Sequence, residues 1–420
     1  MSVSLAVTYL TVMGAKCALP SVLSLLTAPS TGLTFPVGKV PSELIAKQLT
    51  LSTMAIAVGK LVLGPVIDYY GGVLSLKVAL LALAAAMGII SSSQSFHVFA
   101  VAWICVDFIF SSCWAACIHA IHQTFPSQQW ATQIGYLAAA ARTGNALAFT
   151  LFAWVLHIAQ PFTRQAWRPV FGLAAMLQFV PVFLLTFFGD SPQTPIHVVQ
   201  RPTLVESLKT VRHEATTIDF WLQLINRSAL MVFASFLLFI PTLMTQVYGT
   251  TPAVASQVGS LFALGCLLSV TSGSAVYPTL PWTGKLKMTT ALLVTGIFSS
   301  MGQLGHVSGW WRLNTTISST LLFLWGLAVA IPFYLPSSLY ALAKGRSSAT
   351  IVDMFDIGSF LLLSFFNGYV ASLRHSDPAA WVGTFQLTTL CAITSLFSLS
   401  LSYWREGQTK RYRTKSIKSA

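Results

Sequence analysis

The residues of this sequence that could do chemistry are ionisable groups set inside long apolar runs: Lys16, Lys60, Asp107, Arg142, Arg227 and Asp356. Each would cost at least ~2.5–3.5 kcal/mol at a bilayer centre on insertion scales, so a chain keeps such a group where it meets water, a partner charge or a ligand. Four of the six are cations, and two acids cannot neutralise them all. A cavity with surplus positive charge is suited to an anion. An arginine fork donates two parallel hydrogen bonds to a phosphate or carboxylate, whereas lysine offers a point charge.

Each group also has a structural reading. Lys16 pairs with Asp107 and holds two helices together. Lys60, one or two turns from a helix end, snorkels to the interface. Arg142 pairs with Asp107 or Asp356, and Arg227 sits shallow, a short way after Asp219. Asp353 and Asp356 open a helix, where an acid complements the N-terminal dipole; that is the reading adopted for Asp353. His119 and His122, near the end of the fourth run, could pass protons or simply be solvated. His157 and His306 fall at the opposite face. Tyr9 and Trp114 share runs with Lys16 and Asp107, and either wall a cavity or fill ordinary apolar positions.

The six cysteines (Cys17, Cys105, Cys113, Cys117, Cys266 and Cys391) all fall in apolar runs and read as small core residues. Cys113 and Cys117 share a helix face, but no second pair follows at metal-ligand spacing. No nucleophile–base pair and no nucleotide loop stands out, so neither an enzyme nor a cofactor is expected.

The elements that must position these groups are set by composition. Of 420 residues, 55% are hydrophobic and 8% charged, and the mean hydropathy is +0.71. That balance excludes a soluble globular protein and fits an all-α integral membrane protein. A span needs ~20 mostly apolar residues. Twelve runs qualify: 3–27, 44–67, 74–93, 97–122, 132–158, 167–188, 218–246, 253–276, 286–305, 314–341, 348–371 and 381–404. Pro20, Pro241, Pro332 and Pro336 should kink their helices, with neighbouring helices satisfying the freed carbonyls. The first run begins almost at Met1 and is expected to serve as its own insertion signal.

A net charge of +13 suggests nucleic acid, but the positions argue otherwise. Lys77, Arg201, Lys209, Arg212, Lys285, Lys287, Lys344 and Arg346 occupy every second loop, and the tail adds Arg405, Lys410, Arg411, Arg413, Lys415 and Lys418. The opposite loops hold fewer cations. This asymmetry predicts both termini and the central loop in the cytoplasm. The partners expected are a lipid bilayer and a small anionic solute, with no nucleic acid and a monomeric chain.

The chain should divide into a six-helix bundle over 1–189, a cytoplasmic linker over 190–217, a second bundle over 218–405 and a basic tail over 406–420. The halves echo each other, as paired repeats do. Arg142 and Asn145 stand about where Asp356 and Ser359 stand in the second half, and Lys16 matches Arg227.

Two of these runs meet in Gly59, Lys60, Gly64, Asp68, Tyr69, Tyr70, Gly71 and Gly72, whose small residues let backbones approach. The spacing Gly64, Asp68, Gly71 resembles the G-x3-D-x2-G loop of the major facilitator superfamily, with Tyr69 and Tyr70 where basic residues are usual. Five further places resemble its organophosphate:phosphate antiporter branch. They are Lys16 ahead of Pro20; Gly59, Lys60, Leu61; Trp114 through Cys117, like W-P-P-C; Asp190, Ser191, Pro192, Gln193; and Arg227.

The resemblance implies twelve helices in two pseudo-symmetric bundles, the major facilitator fold. It implies that Lys16 and Arg227 grip a phosphoryl group while Lys60 adds positive potential. Arg142 stands at the place of a substrate-binding histidine, and His119 at the place of an arginine. A phosphate ester would exchange against inorganic phosphate by alternating access, with Asp68, Asp107, Asp356 and His119 in coupling or gating roles. A proton-coupled symporter of a carboxylate or sugar, titrating at Asp107, Asp356 or His119, and a non-transporting sensor are the alternatives.

Overall fold

The computed structural model describes residues 1–26, 32–38, 41–159, 162–163, 165–188, 204–250, 252–373 and 380–419. Within them the chain is almost wholly helical. The first half runs α1 (Ser2–Lys16), α2 (Ala18–Leu26), α3 (Pro41–Tyr70), α4 (Gly72–Ser92), α5 (Phe96–Thr124), α6 (Trp130–Ala159), α7 (Trp167–Leu177) and α8 (Phe179–Phe188). The short α9 (Leu204–Glu214) follows, then α10 (Ile218–Ser235), α11 (Ile240–Gln246), α12 (Pro252–Val276), α13 (Trp282–Val307), α14 (Thr315–Leu342), α15 (Ser348–Leu373) and α16 (Ala380–Ser419).

Helix occupies all twelve predicted runs. Ten stretches among the described residues are long and apolar enough to cross a membrane. The other two runs are α6 and α13, of 30 and 26 residues. Three runs are broken. A second helix starts at Ala18, at Phe179 and at Ile240, and each has a proline within its first three residues: Pro20, Pro181 and Pro241. Proline lacks the N–H that the preceding turn needs, but fits the first turn of a new helix. At the second break Gln178, fully buried, donates through Nε2 to the carbonyls of Ala174 (3.1 Å) and Thr11 (3.3 Å).

The residues fall into two compact units, the first 1–211 with 341–360 and the second 212–340 with 361–420. The division cuts α15, whose first half belongs to the first unit. In that unit the backbones pack closely at glycines. A Cβ at Gly59 would meet the Phe108 carbonyl of α5, one at Gly72 the Ala116 carbonyl, and one at Gly144 of α6 the Leu10 carbonyl of α1. Gly71 turns α3 into α4 at φ 92°, a conformation that side chains other than glycine's resist.

The second unit has a polar seam of the kind that joins membrane helices. Ser300 of α13 meets the hydroxyls of Thr389 (2.7 Å) and Thr388 (3.3 Å) of α16. Gln303 donates to the Ser318 hydroxyl of α14 at 2.9 Å.

All six cysteines are free. Cys17, Cys113, Cys117 and Cys266 are buried as expected, but Cys105 faces outward on α5 and Cys391 is half-buried. The Asp190–Gln193 stretch lies outside the described residues.

Candidate functional site

In the first unit the ionisable groups form two clusters. The first joins α1 and α5. The Lys16 ammonium forms an ion pair with Asp107 Oδ1. It also lies over the rings of Trp103 (4.8 Å to the centroid) and Phe110 (5.0 Å), both on α5. An ammonium over aromatic faces gains attraction from their quadrupoles. The Lys16 side chain is 22% exposed and Asp107 only 4%. Tyr9 and Trp114, on the same two helices, are buried with ring centroids 5.1 Å apart. One residue on from Lys16, Cys17 Sγ donates to Asn145 Oδ1 of α6 at 3.5 Å. Arg142, one turn earlier on α6, is buried.

The second cluster joins α3, α5 and the first half of α15. Lys60 does not snorkel; its side chain is 3% exposed. Its ammonium donates to three acceptors: Asp356 Oδ2 at 2.8 Å, Asp353 Oδ1 at 3.1 Å, and the Ser111 carbonyl at 2.9 Å. An ammonium has three hydrogens, so this set saturates it.

One helical turn from Gly64, Asp68 caps α15. Its carboxylate accepts from the backbone N–H of Ala349 (3.2 Å) and Thr350 (3.1 Å) and from the Thr350 hydroxyl. An acid at a helix N-terminus satisfies orphan donors and complements the dipole. Gly64 allows the approach: a Cβ there would stand 3.1 Å from Thr350 Cα and 3.0 Å from Asp353 Oδ2. His119 of α5 accepts from the Gly72 N–H through Nδ1 at 3.0 Å, and its Nε2 lies 3.8 Å from Asp68 Oδ1. An imidazole accepting at Nδ1 is neutral and carries its proton on Nε2, so His119 adds no charge.

These contacts correct the count of charges. Reading Asp353 only as an acid at a helix start left it out of the count, yet it is fully buried against Lys60. The sequence signal was present: Asp353 and Asp356 are three apart and so share a helix face. With Asp68 and Asp353 added, four buried aspartates match the four cations in number, and the expected positive surplus disappears.

In the second unit Arg227 of α10 is buried, with its guanidinium 3.8 Å from the Phe333 ring centroid. Its Nη1 donates to the Phe333 carbonyl at 2.7 Å. The neighbouring Asn226 donates to the Pro332 carbonyl at 3.4 Å and accepts from Ser395 of α16 at 2.5 Å. The chemistry of α14 explains the Asn226 contact. Pro336 has no N–H, so the Pro332 carbonyl one turn back loses its intrahelical donor, and α10 supplies a substitute.

Apolar helices in all twelve places and buried charges between them define a multi-pass membrane carrier. The sequence matches the model of the Major Facilitator Superfamily over residues 2–366, and the chain belongs to that family. No curated protein's sequence matches this chain. Among solved structures, the human organic anion transporter MFSD10 (TETRAN) is similar at 14% identity and TM-score 0.66, with 95% of this chain and 98% of that one covered. The fucose transporter FucP in its outward conformation is similar at 11% identity and TM-score 0.67 (96% and 98% covered). The proton:xylose symporter XylE is similar at 12% identity and TM-score 0.66 (94% of each). At these identities the likeness is one of fold. The chain is a transporter of the major facilitator fold.

Proposed function

We propose that the protein is a secondary active transporter of a small organic anion, a phosphate ester exchanging against inorganic phosphate, by alternating access. The observation that carries this reading is the partly exposed Lys16 side chain, whose ammonium is framed by Trp103 and Phe110 and paired with Asp107. A solute oxyanion can compete with Asp107 for that ammonium. Lys60, enclosed by two carboxylates, takes no part in binding and instead anchors α15. Arg142 in the first unit and Arg227 in the second each offer a guanidinium, a group that suits oxyanions. Tyr9 and Trp114 stiffen the wall behind Lys16. Family membership supports a transporter, and a human organic anion transporter is among the structures of like fold. Only differential affinity for one conformation lets the solute drive the change.

The test is exchange in liposomes loaded with phosphate and presented with labelled anions. Lys16→Ala and Arg227→Ala should each abolish exchange while Lys16→Arg keeps part of it. Full exchange by both alanine variants rejects the assignment.

The Lys16–Asp107 pair also favours a second reading, in which a proton on Asp107 releases Lys16 to the solute. Of the proteins of like fold, FucP is a fucose:proton symporter and XylE a proton:xylose symporter. Uptake would then rise with an inward proton gradient and collapse in Asp107→Asn. A sensor on the same scaffold would bind anions without counterflow.

A further inference from the structure

We infer that Asp353 is a proton-binding site, and that its proton governs how firmly the first half of α15 is held on α3 and α5. The site is separate from the Lys16–Asp107 pair and needs no solute.

Asp353 is fully buried, and its two oxygens are unequal. Oδ1 accepts from Lys60 at 3.1 Å. Oδ2 has no hydrogen-bond partner among the described residues. The facing groups are few. From α3 come Lys60, Asp68 and the bare backbone of Gly64; from α5 come Cys113, the Ser111 carbonyl that shares Lys60, and, beside Asp68, the neutral His119; from α15 itself comes Asp356. The charged neighbours of Asp353 are Lys60, Asp356 and Asp68.

A saturated Lys60 cancels one carboxylate, and Asp356 holds it at the shorter distance, 2.8 Å. Asp68 is satisfied by the α15 N-terminus. An ionised Asp353 would therefore be a third carboxylate beside two others, with one oxygen lacking any donor in an apolar setting. Burying an uncompensated charge costs far more than burying a neutral hydroxyl. A proton on Oδ2 removes that charge and leaves Lys60 matched one-to-one with Asp356. Losing the proton restores the repulsion where Gly64 brings α3 and α15 together, and loosens the helix there. The proton comes from water and returns to it; no other bond changes.

The experiment uses the purified full-length chain in lipid nanodiscs and needs no solute. Infrared difference spectra across a pH titration, in light and heavy water, read the carbonyl stretch of a protonated carboxylic acid. The wild type should have a band that titrates, Asp353→Asn should lack it, Asp353→Glu should shift it, and Asp356→Asn should weaken it, because Lys60 is then left to pair with Asp353. A wild type with no titrating band overturns the inference whether or not any variant folds. A band that persists in Asp353→Asn and vanishes in Asp356→Asn overturns the assignment to Asp353. Either failure leaves the liposome exchange result untouched.

Discussion

A lysine held by two acids gains its stability from the match, not from the charges themselves. Lys60→Ala leaves the Asp356 charge without its partner in an apolar setting, which should cost about 3–5 kcal/mol. Thermal melting followed by size-exclusion fluorescence measures the loss. The triple variant Lys60→Met, Asp353→Asn, Asp356→Asn removes every charge together and should melt much closer to the wild type. If the single and triple variants melt alike, the three residues do not act as a unit. The residue types were readable in the sequence; their pairing was not. Lys60 and Asp353 are 293 positions apart, and only the packing of α3 against α15 decides that one meets the other. Asp353 was misread for the same reason: its position near a helix start is a local signal, and burial is not local.

Among the helices, prolines explain both the breaks and some of the glue. A carbonyl freed by Pro336 is taken up by Asn226 of α10. Asn226→Leu should therefore cost about 1–3 kcal/mol, because the Pro332 carbonyl and the Ser395 hydroxyl lose a partner together. Adding Pro336→Ala returns the missing N–H to α14 and should recover part of that loss. A double-mutant cycle on melting temperature checks the coupling; strict additivity would refute it. The spans themselves were legible, since a run of ~20 apolar residues admits few other folds. The breaks at Cys17, at Gln178 and before Ile240 were only half legible. A proline marks the region, but the turn at which a helix restarts depends on which neighbour can satisfy the freed groups.

For the whole molecule, the loop charges predict both termini on the cytoplasmic face. A reporter fused after Ala420 that works only in the cytoplasm should be active, and one that works only outside should be silent. The opposite pattern would reverse the topology. The composition of the first unit has a further consequence, for the order of synthesis. Its residues end at 211 and resume at 341, so the ribosome delivers Lys60 and Asp68 long before Ala349, Thr350, Asp353 and Asp356. At ~5–20 residues per second the 293 positions between Lys60 and Asp353 amount to roughly 15–60 s. For that interval the nascent chain carries a lysine and an aspartate inserted without the groups that will enclose them. A fragment ending at Val211 should therefore be short-lived in pulse-chase labelling, and co-expressing the remainder should lengthen its survival.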